Sequence, residues 1–94
     1  MFSKEEIRLS RSTHKALSYL GWEGPGVFIN LHWEEIEEIL NKLGYKLYVF
    51  DCYQPTFQVT ITEKDNSLKS WTIAFAESRQ EAVMKAVVKL GENK

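Results

Sequence analysis

Two stretches in which apolar and polar residues alternate, 57–62 and 70–75, constrain this fold more than any other feature. Side chains of a β-strand point alternately to opposite faces, so the pattern predicts two strands of a sheet with one apolar and one polar face. We expect the apolar members to lie on the face that helices cover. These members are Phe57, Val59 and Ile61 in the first stretch and Trp71, Ile73 and Phe75 in the second.

Two segments whose apolar residues recur at helical spacing are expected to cover that apolar face. In the first, Trp33, Ile36, Leu40 and Leu43 recur at helical spacing within residues 31–43, with Asn30 as the expected N-cap and Gly44 as the expected C-terminal glycine. In the second, Ala82, Ala86 and Leu90 recur every four residues within 79–90, after a Ser78–Glu81 capping box. Both segments are therefore predicted to be helices that pack on the sheet.

The N-terminal third of the chain has weaker signals. Ser3 and Glu6 form a capping-box pattern, which predicts a helix over 3–20. The apolar spacing behind it is poor, so one continuous helix and two helices that break near Ser12 both remain open. Glycine and proline residues make 21–30 a loop, and residues 91–94 are expected to form a frayed tail.

The first strand, 45–50, decides how many layers the fold has. Tyr45, Leu47 and Val49 would face the helices, which leaves Tyr48 and Phe50 on the other face. The N-terminal helix is the candidate cover for these two aromatic residues. The prediction is an α+β fold: a three-stranded antiparallel meander has helices 31–43 and 79–90 on one face, and the N-terminal helix completes an α/β/α sandwich. Residues 1–94 are expected to form a single domain, whose α-β-β-β-α unit spans 31–90.

Composition narrows the class of function. The formal net charge of −1 argues against a dedicated nucleic-acid binder and against a protein that binds a membrane surface. No apolar run approaches the ~20 residues of a membrane-spanning helix. A single cysteine excludes an intrachain disulfide and fits a reducing, cytoplasmic compartment.

The residues with catalytic potential do not form a recognisable motif. Cys52 has no base or positive charge close by in the sequence, and neither His14 nor His32 occurs at a metal-ligand spacing. We therefore expect no catalytic residue, no cofactor and no metal, and we expect that the protein is not an enzyme.

An acidic arc on the helix 31–43 is the first candidate interaction surface. Its carboxylates fall on the exposed side of the helix. The usual interpretation is a solvated acidic face, and the functional interpretation is a face that binds a basic surface of a partner. The carboxylates are Glu34, Glu35, Glu37 and Glu38. Trp22, Tyr48 and Tyr53 are further aromatic candidates, although Trp22 is expected to fill the core beneath its loop.

The order helix, three strands, helix resembles the double-stranded RNA-binding domain. In that family, lysines near the start of the last helix contact phosphates. Here Arg79 and Lys85 remain, with Glu81 between them, and the preceding helix is acidic. These departures argue against nucleic acid as the partner, and duplex RNA or DNA binding is the alternative to a protein partner. Its candidate contacts are Lys64, Lys69, Arg79, Lys85 and Lys89.

Several short motifs between residues 16 and 90 resemble the phage ABA sandwich domain family. They are Leu-Gly-Trp-Glu at 20–23, His-Trp-Glu at 32–34, Trp-Thr-Ile at 71–73 and Glu-Ser-Arg-Gln-Glu-Ala at 77–82. The resemblance implies an origin in a phage or prophage and a three-layer α/β/α arrangement. It supplies no catalytic residue and no defined activity.

These observations predict a small, non-enzymatic protein of phage or prophage origin that acts by protein–protein interaction. The partner is an unknown protein, and a homodimer that forms through an uncovered sheet edge is a further possibility. The alternative is a double-stranded RNA- or DNA-binding module.

Overall fold

Three helices and one three-stranded sheet make up the described part of the chain. The computed structural model describes residues 3–24, 30–51, 56–64 and 71–92, without the side chains at positions 50, 51 and 71. The elements in chain order are α1 (Lys4–Tyr19), α2 (Trp33–Lys42), β1 (Tyr45–Asp51), β2 (Phe57–Glu63), β3 (Trp71–Ala76) and α3 (Arg79–Glu92). The predicted α+β class is confirmed.

The helix ends largely follow the sequence signals. The hydroxyl of Ser3 accepts a hydrogen bond from the backbone N–H of Glu6, whose carboxylate accepts one from Ser3 N–H. This capping box begins α1, which continues through position 12 without a break. Ser78 Oγ likewise accepts from the N–H of Glu81 at the start of α3. Gly44 follows α2 with φ +95°, a conformation that favours glycine.

Two predicted helix ends are each wrong by two residues. The N-cap of α2 is His32 rather than Asn30, because the carboxylate of Glu35 accepts a hydrogen bond of 3.2 Å from His32 N–H and fixes the first turn there. At the other end of the chain, α3 continues through Gly91 and Glu92, which the sequence assigned to a frayed tail.

The sheet is the predicted antiparallel meander, in the order β1-β2-β3. Leu47 is paired with Ile61, and Val59 is paired with Val49 on one side and with Ala74 on the other. Paired residues share a face, so these side chains all lie on the side that α2 and α3 cover. We call this the inner face and the opposite one the outer face.

The predicted orientation of β3 is wrong. Ala74 and Ala76 are the buried, inner-face residues of this strand, whereas Phe75 lies on the outer face with 53% of its surface exposed. The register explains the difference, because Val59 is opposite Ala74 and Phe57 is opposite Ala76. Alanines on the inner face leave room for α3, which packs closely on β3.

The α/β/α sandwich is not confirmed. α1 packs against α3, where Ala16 and Leu17 join the core. The two helices approach so closely that a Cβ on Gly91 would lie 2.9 Å from the Cβ of Ala16. Tyr48 and Phe75 remain exposed on the outer face, so α1 does not cover them, and the side chain of Phe50 lies outside the described part of the chain.

α3 is the element that ties the others together. It packs on β2, β3, α1 and α2, and Val83, Met84 and Val87 on it are fully buried. The side-chain amide of Gln80 forms two hydrogen bonds to the start of α2. Its oxygen accepts from Trp33 N–H at 2.7 Å, and its nitrogen donates to Leu31 O at 2.8 Å. The core therefore lies between α3 and the inner face of the sheet.

Candidate interaction surface

The outer face combines apolar edge strands with a polar central strand. The pairing places Thr60 between Tyr48 and Ile73 in one row across the sheet. Gln58 lies beside Phe75 in the row at one end, and Thr62 lies beside Lys46 at the other. Thr60 and Thr62 are almost completely buried, at 2% and 3% exposure. The larger groups on the two edge strands therefore form the part of this face that a partner would meet first.

The exposed aromatic groups are the most unusual feature of the outer face. Phe75 exposes 53% of its surface and Tyr48 exposes 38%, while Ile73 is half-buried. Among the described outer-face side chains on the three strands, Lys46 carries the one charge, and its ammonium lies 5.3 Å from the centroid of the Tyr48 ring. An exposed apolar patch that contains aromatic groups and little charge is typical of a protein-binding surface.

The outer edge of β1 presents backbone groups that the sheet does not use. Lys64 N–H donates to Gly44 O at 3.0 Å, which fixes the alternation of the β1–β2 hydrogen bonds. Even-numbered residues of β1 therefore bond to β2, and the backbone groups of Leu47 and Val49 point away from it. No side chain in the described ranges donates to or accepts from these outward groups.

A groove runs beside this edge, and we call it the β1 groove. Its volume is about 580 Å³, and its walls come from α2, from β1 and from the end of β2. The lining residues are Glu37, Asn41, Tyr45, Lys46, Leu47, Tyr48, Thr62 and Lys64. The hydroxyl oxygen of Thr62 is buried in this wall and has no hydrogen-bond partner among the described residues. A buried hydroxyl without a partner costs stability.

The other edge of the sheet, β3, is protected by a lysine. The ammonium of Lys89 donates a 3.1 Å hydrogen bond to Ile73 O, an outward-pointing carbonyl of β3. Lys85 and Lys89 line a shallow depression together with Gln58, Ile73 and Phe75. A lysine at a strand edge opposes pairing with another strand, because the incoming strand would have to displace it.

The predicted acidic surface divides into residues with different roles. Glu34, Glu35, Glu37 and Glu38 are all exposed on α2. Glu35 caps the helix, and Glu38 lies 3.6 Å from the ammonium of Lys42 in an exposed ion pair. Glu37 lines the β1 groove. The structure therefore brings one of the four carboxylates to the groove and uses another to begin the helix.

The four described basic residues that were predicted for nucleic-acid binding do not form one cluster. Lys64 donates to Asn41 O at 2.8 Å, Lys85 lies 3.4 Å from the carboxylate of Glu81, and Lys89 protects β3. The guanidinium carbon of Arg79 lies 5.7 Å from the centroid of the Phe57 ring and 5.9 Å from that of Trp33. Lys69 lies outside the described residues. Lys85 and Lys89 alone are brought together, at one depression.

Trp22 and His14 pack against each other rather than forming a surface site. Their ring centroids are 4.8 Å apart in an edge-to-face arrangement, and Trp22 is half-buried against the core. This agrees with the prediction that Trp22 fills the core beneath its loop. Cys52 and Tyr53 lie outside the described residues.

The described residues form neither a metal site nor a membrane-spanning helix. No group of three or more histidine, cysteine, aspartate or glutamate side chains in these ranges could hold a metal ion. None of the described helices combines the length and the apolar character that crossing a membrane requires.

Comparison with known proteins gives no relative from which to transfer a function. No family model, no curated protein and no solved structure matches the chain. The likeness to the phage ABA sandwich family and to the double-stranded RNA-binding domain stays a prediction.

Sequence reasoning named Tyr48 but missed Phe75, Ile73 and the β1 groove. Phe75 and Ile73 were assigned to the inner face, since alternation gives two faces without saying which one the helices cover. The small residues at positions 74 and 76 were the available signal, because a helix packs most closely on alanines.

Proposed function

We propose that this protein is a small, non-enzymatic interaction protein that binds another protein through the outer face of its sheet. The supporting observation is the exposure of Phe75 and Tyr48 on a face with a single described charge. The proposal includes a cytoplasmic location, which rests on the lone cysteine, and an origin in a phage or prophage, which rests on the motif resemblance alone.

The exposed aromatic side chains of the outer face can supply the free energy of binding. Aromatic side chains bury a large apolar area with few rotatable bonds, and they dominate the binding free energy of many interfaces. Phe75 and Tyr48 lie on the two edge strands, with Thr60 and Gln58 between them on β2. A partner that covers both rings would also cover Gln58, whose half-buried amide can direct the orientation of the partner through hydrogen bonds.

The experiment compares capture by the unaltered chain with capture by face-specific variants. The full chain is immobilised, bound proteins are identified from a bacterial lysate, and the Kd of each purified candidate is measured by calorimetry. We expect Phe75→Ser to raise the Kd of the true partner at least about thirtyfold, the effect of losing an interface residue worth about 2 kcal/mol.

Tyr19→Ser is the matched control, because Tyr19 is an aromatic residue with 67% exposure on α1, away from the sheet. It should leave the Kd unchanged. Circular dichroism and thermal unfolding should show that both variants keep the fold. A partner that binds equally well to the Phe75 and Tyr19 variants would contradict the use of the outer face.

Duplex nucleic-acid binding has less support. Most of the candidate cations contact groups of the chain itself, and among the described ones Lys85 and Lys89 alone share a depression. A gel-shift series decides the question, since electrostatic binding is strongest at low salt. Binding of double-stranded RNA at low salt, lost in a Lys85→Glu variant, would replace the protein-binding proposal.

A further inference from the structure

We infer that the partner is held by strand addition: an extended segment of another protein pairs with the outward backbone groups of Leu47 and Val49 at the edge of β1 and carries an acidic residue opposite Lys46. This inference rests on the proposed protein-binding function and adds how the partner is recognised.

The difference between the two edges of the sheet points to β1. At β3, the ammonium of Lys89 already donates a hydrogen bond to the outward carbonyl of Ile73. At β1, the outward N–H and C=O groups of Leu47 and Val49 lie beside an open groove of about 580 Å³. An incoming strand would satisfy both groups of each residue, and main-chain hydrogen bonds of this kind supply affinity in strand addition.

Charges along the groove specify the chemistry of the segment. A residue paired with Lys46 would share the outer face with it, so an acidic side chain there lies within reach of the ammonium. Glu37 lines the α2 side of the groove, where the neighbouring residues of the segment would point. A basic or amide side chain fits at that position. The preferred segment therefore has an acidic residue on the outer face, opposite Lys46, and a basic or amide residue at a neighbouring position that points towards Glu37.

A second copy of the chain fits less well. Antiparallel pairing of two β1 strands about Tyr48 uses the outward groups of Leu47 and Val49 most fully. In that register Lys46 lies opposite position 50, a phenylalanine in the sequence, and finds no opposite charge. The charge pattern therefore favours a different protein over a homodimer.

The first test asks whether the β1 edge is free in the protein alone. Amide hydrogen exchange should be fast at Leu47 and Val49 and slow at Lys46 and Tyr48, whose N–H groups bond to β2. Slow exchange at all four positions would show that another part of the chain or a second copy occupies the edge. That result overturns the inference.

The second test uses a random decapeptide library displayed on phage, with the full chain as bait. We expect enrichment of peptides with an acidic residue within an alternating pattern. Lys46→Glu should reverse the preference to basic residues, with at least about a tenfold change in the ratio of the two affinities. Lys85→Glu, on the side of β3, is the control and should leave the preference unchanged. If no peptide is enriched, the inference is wrong.

N-methylation of the best peptide isolates the backbone contribution. Methylation of the alternate residues whose N–H groups face β1 should raise the Kd at least tenfold, whereas methylation of the intervening residues should not. Equal losses at both sets would mean that side chains, not a strand ladder, hold the peptide. If Phe75→Ser still abolishes capture of the protein partner, then the proposed function survives and strand addition alone fails.

The oligomeric state distinguishes a second copy of this chain from a different protein as the occupant of the β1 edge. Analytical ultracentrifugation should show a monomer across the working concentrations. A dimer that Val49→Pro dissociates would identify a second copy as the occupant and overturn the inference. Proline at position 49 removes an outward N–H and leaves the bonds to β2 intact, so a dimer held elsewhere would persist.

Discussion

The two faces of the sheet arise from the same alternation along the strands, but they differ in how far helices cover them. Val59 and Ile61 on the inner face are essentially inaccessible, at 0% and 1% exposure, because α3 packs over them. Phe75 and Tyr48 on the outer face expose 53% and 38% of their surface. An aromatic residue in an alternating strand is therefore not by itself a core residue. The helix selects the face on which small and branched side chains permit close packing.

The largest expected difference comes from the same substitution made on each face. Ile61→Ala should lower the free energy of unfolding by about 2–5 kcal/mol, because it leaves a cavity beneath α3. Ile73→Ala, on the half-buried outer face, should lower it by about 1 kcal/mol. Urea unfolding followed by circular dichroism measures both values. Equal losses would show that the outer face is covered as firmly as the inner one.

The next effect tests the register of β3 by enlarging a side chain. Ala74→Leu should lower the free energy of unfolding by about 1–3 kcal/mol, because α3 lies too close to accept the extra carbons. Phe75→Leu, one residue further along, should change it by no more than about 0.5 kcal/mol. The same urea titration applies. A larger loss for Phe75→Leu than for Ala74→Leu would mean that β3 is turned the other way.

The smallest effect compares two threonines of the central strand. Thr62→Val should raise the free energy of unfolding by about 1 kcal/mol, since the buried hydroxyl has no partner among the described residues. Thr60→Val should give no gain, because Thr60 Oγ1 accepts a 3.3 Å hydrogen bond from the side chain of Gln58. Thermal unfolding detects the difference. A loss of stability in Thr62→Val would indicate that the hydroxyl is hydrogen-bonded.

Local signals predicted most of the secondary structure. The capping boxes at Ser3 and Ser78 and the glycine at Gly44 marked helix ends because each depends on residues close in sequence. The meander of three strands followed from alternation. The N-cap of α2 was missed because a glutamate that bonds to His32 outweighed the better capping residue Asn30.

The long-range features could not be predicted in the same way. Whether Phe75 faces the helices depends on how β3 pairs with β2, and a shift of one residue reverses every side chain. Likewise, α1 carries too weak an apolar stripe to show that it packs on α3. Tyr48 was recognised as a surface candidate because alternation within β1 alone places it opposite Leu47. The β1 groove needs three elements in position, so no single stretch of sequence reveals it.

The position of α3 in the chain has a consequence for synthesis. Every element that α3 contacts precedes it, and the side chain of Gln80 forms hydrogen bonds with the residues at the start of α2. While the ribosome still holds residues 79–92, Val59 and Ile61 lack the cover that α3 provides. The apolar residues of β2 are therefore accessible to water until α3 emerges, and a chaperone that binds apolar strands can act in that interval.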